Sequence, residues 1–145
     1  MILLDANILL YAYHSGSPRH AGARAWLEEA FSGTEPVRLP WTTIHAFLRI
    51  GTNPRVFEHP LGIDEARSHV DAWLAAPNVA TIEPGERYWS ILRELLVDAQ
   101  VAGPLVSDAA LAALAIEHGA LLVTTDRDFN PFAGLKLLDP LRSQK

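Results

Sequence analysis

Three aspartates carry the chemical interest of this chain: Asp5, Asp108 and Asp126. Each lies beside an apolar run, and the three are far apart in sequence. Carboxylates brought together repel, and at close range one stays protonated unless a cation compensates. A donor set of oxygens alone, with no His or Cys in the motif, suits Mg²⁺ or Mn²⁺ rather than zinc. A divalent ion held by acids orients and deprotonates a water and stabilises charge on a phosphoryl group. That is the chemistry of phosphodiester hydrolysis. Each acid also has a plain reading. Asp108 suits the first turn of a helix, where the dipole favours a negative charge. Asp128, in Asp126-Arg127-Asp128-Phe129, fits a charged turn.

The elements that must position these acids follow from hydrophobic pattern. Ile2-Leu3-Leu4 is a short apolar run ending at Asp5, the pattern of a strand buried on both faces of a parallel sheet. Helices are expected over about 7–13, 20–31, 40–50, 63–75, 86–100 and 108–118, the last with Ser107 as N-cap. Strands are expected over 37–39, 79–82, 120–124 and 135–138. Gly119 stands where a helix-terminating glycine belongs. Strands alternating with helices predict an α/β fold, three-layer α/β/α with a central, mostly parallel sheet. Sites in such sheets form at the carboxyl ends of the strands. Asp5 ends the first strand and Asp126 closely follows the strand 120–124. The helix from Asp108 spans about 16 Å, and the strand after it runs back about 17–20 Å. Its start therefore returns to the level of that strand's end, and all three acids can converge on one edge.

The chain has 145 residues, a net charge of -5, 49% apolar and 20% charged residues, and no cysteine. The length suits one domain over residues 1–145. The composition excludes disorder and a disulfide scaffold. No apolar run approaches the roughly 20 residues of a membrane span. The start lacks the basic leader of a secretory signal, so a cytoplasmic location is expected. An acidic chain is a poor non-specific binder of nucleic acid. Contact with nucleic acid must then be local, through a few arginines or a metal, with Arg49 and Arg55 as the candidates. The histidines are scattered. His14, His20, His59 and His69 are read as solvated, and His118 as a helix-end residue. Trp26, Trp73 and Trp89 are read as core or dimer interface. There is no Gly-x-Ser-x-Gly elbow and no Walker loop.

Together the motifs Ile2-Leu3-Leu4-Asp5-Ala6-Asn7, Ser107 to Ala115 and Leu122 to Phe129 resemble those of PIN-domain proteins. The stretches Leu39 to Ile50 and Thr52 to Phe57 resemble a subgroup of VapC toxins from toxin–antitoxin pairs. The resemblance implies a Mg²⁺- or Mn²⁺-dependent endoribonuclease acting on RNA. It implies Asp5, Asp108 and Asp126 in the catalytic and metal-binding roles, with Asp128 nearby. Asn7 and Thr124 or Thr125 would orient the carboxylates by hydrogen bonding. It also implies a VapB-like antitoxin that blocks the site, a homodimer, and contact with DNA only through the antitoxin.

The chain departs from the family pattern at Ala46. Many PIN domains carry a glutamate there, with a basic residue three positions on, as Arg49 is here. Alanine cannot ligate. The departure leaves a second reading open: a catalytically weak PIN-fold module that binds RNA or an antitoxin. A phosphatase or phospho-acceptor receiver is disfavoured, since position 7 is Asn and Lys136 falls near the start of the last strand.

Overall fold

The computed structural model describes residues 1–142. The chain runs β1 (Ile2–Leu4), α1 (Ala6–Tyr13), α2 (His20–Ser32), β2 (Val37–Pro40), α3 (Trp41–Gly51), α4 (Ile63–Ala75) and β3 (Val79–Ile82). It continues with α5 (Tyr88–Asp98), α6 (Leu105–Glu117), β4 (Leu121–Val123), a 3-10 turn at Arg127–Phe129 and β5 (Leu137–Leu138). The sheet has the order β3-β2-β1-β4-β5, and every pairing is parallel.

Alternation along the strands divides the interior in two. Ile2, Leu4, Val37, Leu39 and Val123 face a core filled by α1 to α4, including Ile8, Leu27, Phe47 and Trp73. Leu3 and Leu122 point the other way, against Leu92 and Leu95 of α5 and a row of alanines on α6. The sheet is thus covered on both faces, as the apolar strand runs require. The expected three-layer α/β/α architecture is what the chain adopts.

The strand order creates the place for a site. The chain steps from β1 outward to β2 and β3, then returns to add β4 on the opposite side of β1. The carboxyl ends of β1 and β4 therefore flank the point where the order reverses. Ligands of open α/β sheets bind in that crevice. Thr43, buried near the start of α3, donates its hydroxyl to the Leu4 carbonyl at 2.9 Å, which fastens α3 to the same edge.

Several boundaries differ from expectation for local reasons. Helix α6 begins at Leu105, ahead of Ser107, and Ser107 makes no capping bond. Gly103 with φ +62 and Pro104 turn the chain earlier, so Leu105 and Val106 already lie in the helix. Pro40 closes β2 and is not helical. Helix α5 stops at Asp98, and Gln100 has φ 50. His14 is buried, not solvated: Nδ1 lies 2.9 Å from the Leu10 carbonyl, and the ring stacks on Phe57 at 3.7 Å. Trp73 is core, whereas Trp89 is 61% exposed and belongs to neither core.

Gly119 ends α6 as its position suggested. Its φ is +66, Ala120 N–H donates to the Ala115 carbonyl at 2.9 Å, and Gly119 N–H donates to Ile116 at 3.1 Å. This pair of bonds is the Schellman arrangement, and it sends the chain straight back into β4. A Cβ at Gly119 would meet no atom within 4 Å, so only the backbone conformation resists substitution. Gly119→Ala is expected to lower stability by about 1 kcal/mol, seen as a lower urea midpoint with an unchanged slope. An unchanged midpoint would contradict the left-handed turn.

Candidate metal centre

Asp5 is held at the end of β1 by its place in the ladder and by helix capping. Its N–H donates to the Val123 carbonyl at 3.0 Å, which extends the β1–β4 pairing by one residue. Its Oδ1 accepts the Ala6 N–H at 2.8 Å as the N-cap of α1. The other carboxylate oxygen, Oδ2, accepts the Thr124 hydroxyl at 2.8 Å. Thr124 is buried directly after β4. Its Oγ1 also accepts the Asn7 side-chain N–H at 3.2 Å and the Asp126 backbone N–H at 3.0 Å. One donor and two lone pairs exhaust a hydroxyl. Thr124 therefore joins β1, α1 and the loop after β4 at one atom.

Asp126 opens the 3-10 turn as its N-cap, and its Oδ1 accepts the Asp128 N–H at 2.8 Å. Asp108 comes from the first turn of α6. Carboxylate oxygens of Asp108, Asp126 and Asp128 all lie within 4.8 Å of one another. The structure thus brings Asp128 into the group as a full member. Asp5 stands beside it, tied to Asp126 through Thr124.

The charges register this crowding. Asp108 is pushed up to about 6 from an ordinary value of 3.8, first by burial, then by the charges of Asp126, Asp5 and Asp128. Asp5 is also raised, chiefly by burial and in small part by Asp126, against the opposing bonds from Thr124 and Ala6. Among the described residues, no arginine, lysine or histidine forms an ion pair with any of these four acids. An all-oxygen donor set with excess negative charge and no ion-paired cationic side chain fits a hard divalent cation. Asp108, Asp126 and Asp128 would hold it, with Asp5 at its side.

The remaining expected residues fall as follows. Asn7 reaches Thr124, and its own Oδ1 is buried without a partner. The bond that orients Asp5 comes from Thr124, not Thr125; Thr125 lines a cleft next to the carboxylates. Arg49 is exposed in the last turn of α3. It lies six residues beyond Thr43, about 9 Å farther along the helix axis, and among the described residues it forms no ion pair with the acids. Ala46 is half-buried on α3 and offers no donor.

Residues 2–135 match the profile of the PIN-domain family. The chain is 39% identical over 140 residues to Ribonuclease VapC37 of Mycobacterium tuberculosis, covering 97% of each chain. It is 40% identical over 142 residues to Ribonuclease VapC33 of the same species, covering 98% of this chain and 99% of that one. Two solved structures share the fold. VapBC2 of Rickettsia felis, bound to a DNA fragment from its promoter, aligns with a TM-score of 0.69 at 19% identity, covering 95% of this chain and 98% of that one. VapC20 of M. tuberculosis, a sarcin–ricin loop cleaving toxin, aligns with a TM-score of 0.66 at 17% identity, covering 94% and 99%.

Two outcomes follow from the geometry. Thr124→Val keeps the shape but removes the hydroxyl shared by Asp5, Asn7 and Asp126. Mn²⁺ affinity measured by calorimetry is expected to fall about 10–100-fold; equal affinity would show that Thr124 positions nothing. The second outcome concerns pH. In metal-free protein the fold holds the Asp108 proton more tightly than the unfolded chain does. The stability this gives is full below about pH 4 and is lost as pH rises through about 6. The melting temperature of Asp108→Asn should therefore gain on that of the unsubstituted chain across this window. Parallel curves would contradict the crowding.

Proposed function

This chain belongs to the VapC group of PIN-domain proteins, and from that premise we propose that it is a Mg²⁺- or Mn²⁺-dependent endoribonuclease, the toxin of a toxin–antitoxin pair. The observation that carries the reading is the convergence of Asp108, Asp126 and Asp128, with Asp5 tethered alongside, at the reversal point of the sheet. Residues 1–145 are read as one nuclease domain acting in the cytoplasm.

A bound dication would supply an acidified water as nucleophile and would neutralise charge developing on the phosphate. The chain's own residues do the holding. Thr124 and the Ala6 N–H spend both oxygens of Asp5 on fixed donors, so Asp5 keeps one orientation. The Asp128 N–H does the same for one oxygen of Asp126 and leaves the other free to ligate. Burial around Asp108 strengthens its attraction for a cation, since charge interactions grow as the local dielectric falls.

Asp128 bears on the question raised by Ala46. A third carboxylate is available from the loop after β4, so a glutamate on α3 is not needed to complete the group. That favours turnover over the reading of a weak binding module. The structural relatives support a protein partner: they include the VapBC2 complex and a toxin–antitoxin complex from Klebsiella pneumoniae. We read a VapB-like antitoxin as this chain's partner, a homodimer as its own assembly, and DNA contact as the antitoxin's.

Cleavage of a mixed-sequence RNA is expected to require Mg²⁺ or Mn²⁺ and to stop in chelator. Asp108→Asn and Asp126→Asn should each lower the rate by about 100-fold or more, the scale for losing a group that stabilises developing charge. Cleavage that survives chelation, or that both variants retain, would overturn the reading. Metal binding without cleavage would favour the binding module.

A further inference from the structure

Next to the carboxylates lies a cleft of about 690 Å³, within the range of ligand sites, roughly 300–1,000 Å³. It shares Thr124 and Asp126 with the metal centre, and three arginines also line it. Arg19 enters from the loop between α1 and α2, Arg127 from the 3-10 turn and Arg142 from beyond β5. We infer that this cleft holds the phosphate backbone of the RNA on one side of the scissile bond. The inference rests on the nuclease reading above and names where that substrate lies.

Three observations carry it. The first is convergence. The chain is acidic overall, with a net charge of -5, yet three arginines from separate elements line one cavity. The second is availability. Arg24 and Arg67 are engaged by carboxylates on their own helices. Among the described residues, Arg19, Arg127 and Arg142 form no ion pair and are exposed. Arg19 lies over the Tyr11 ring at 5.4 Å, which limits its freedom without neutralising it. The third is adjacency. Arg127 directly follows Asp126 in sequence, so the arginine lining and the acidic group meet at a single peptide bond.

The chemistry of the lining suits a phosphodiester strand. A guanidinium presents a planar fork of donors that matches phosphate oxygens. Thr125 and Asn130 add neutral donors and acceptors to the lining, groups that can bond the 2′-hydroxyl distinguishing RNA. Two carboxylates also line the cleft. Asp126 belongs to the metal centre, and Asp139 has Oδ1 bonded to the Leu141 N–H at 3.0 Å. Negative charge thus lies where a cation would sit, and beside it three arginines outnumber the single carboxylate of Asp139. Such a field steers a polyanion into the cleft rather than onto the bare acids. It also meets the requirement that an acidic chain contact nucleic acid through a few local arginines. Arg49, expected in that role, lies on another element.

The test is fluorescence anisotropy of a labelled 12-nucleotide RNA in chelator, across a salt series. The full chain is compared with the Arg19→Ala/Arg127→Ala/Arg142→Ala variant and with Arg67→Ala, whose ion pairs lie on α4. Exposed arginines tolerate alanine without loss of fold, and thermal melting checks this. The triple variant is expected to bind about 100-fold more weakly at low salt, roughly fivefold per guanidinium. Its slope of log affinity against log salt should fall by about 2, since each phosphate contact on a single strand contributes about 0.7. Arg67→Ala should match the unsubstituted chain. Replacing the three by lysine should restore most of the slope and only part of the affinity. Equal binding by the triple alanine variant, or no binding by the unsubstituted chain, would overturn the inference. So would unchanged RNA binding with loss of a co-expressed antitoxin, which would give the cleft to a protein partner. Metal-dependent cleavage of the same RNA by the unsubstituted chain reports on the nuclease reading separately.

Discussion

Carboxylates gathered at one edge of a sheet push one another apart, and something must hold them. Here much of that restraint passes through the hydroxyl of Thr124. It donates to Asp5 at the end of β1 and accepts from Asn7 on α1 and from the backbone of Asp126 after β4. A buried hydroxyl with all its bonds made is stiff, because leaving any one unmade costs about 1–3 kcal/mol. Asp5 and Asp126 sit where this network puts them, while Asp108 is placed by the first turn of α6. Burial, and behind it the charges of Asp126, Asp5 and Asp128, then favours the protonated form of Asp108, which is raised to about 6.

The network is anchored in turn by the two cores. Leu3 and Leu4 are fully buried on opposite faces of β1, and Leu122 and Val123 do the same for β4. A side chain of that size contributes roughly 1.5–3 kcal/mol on burial. The central strands are therefore packed on both faces, and their carboxyl ends are carried on that frame. Groups that must share a cation within tenths of an ångström are best carried on such elements. The loop after β4 is more exposed, yet Phe129 is buried within it and fixes the turn that bears Asp126 and Asp128.

Much of this was readable in the residues. Uninterrupted apolar triplets gave two-sided burial, hence a parallel sheet. Gly119 gave the reversal that brings Asp108 level with Asp126, and the observed Schellman bonds sit on that glycine. What pattern could not show was side-chain direction. Thr124 and Thr125 are adjacent and alike in sequence, yet consecutive residues at a strand end point to opposite sides, and only Thr124 meets Asp5. Asp128 looked like a turn residue and is one, but the same 3-10 turn folds it back onto Asp108 and Asp126. His14 seemed a solvated polar residue near a helix end. The packing of α1 on α3 and the Phe57 loop buries it, and long-range packing of that kind leaves no local signal. The arginine-lined cleft is assembled from positions 19, 127 and 142, which no spacing rule connects.

On this reading the acids at the reversal point form one site for a divalent cation, and a proton on Asp108 competes with that cation. Calorimetric titration of Mn²⁺ at pH 6, repeated in buffers of different ionisation enthalpy, tests both parts at once. With Asp108 raised to about 6, binding should be saturable and should release protons. Asp108→Asn should bind far more weakly and release almost none. Saturable binding with no proton release, or no binding by the unsubstituted chain at millimolar Mn²⁺, would contradict the account.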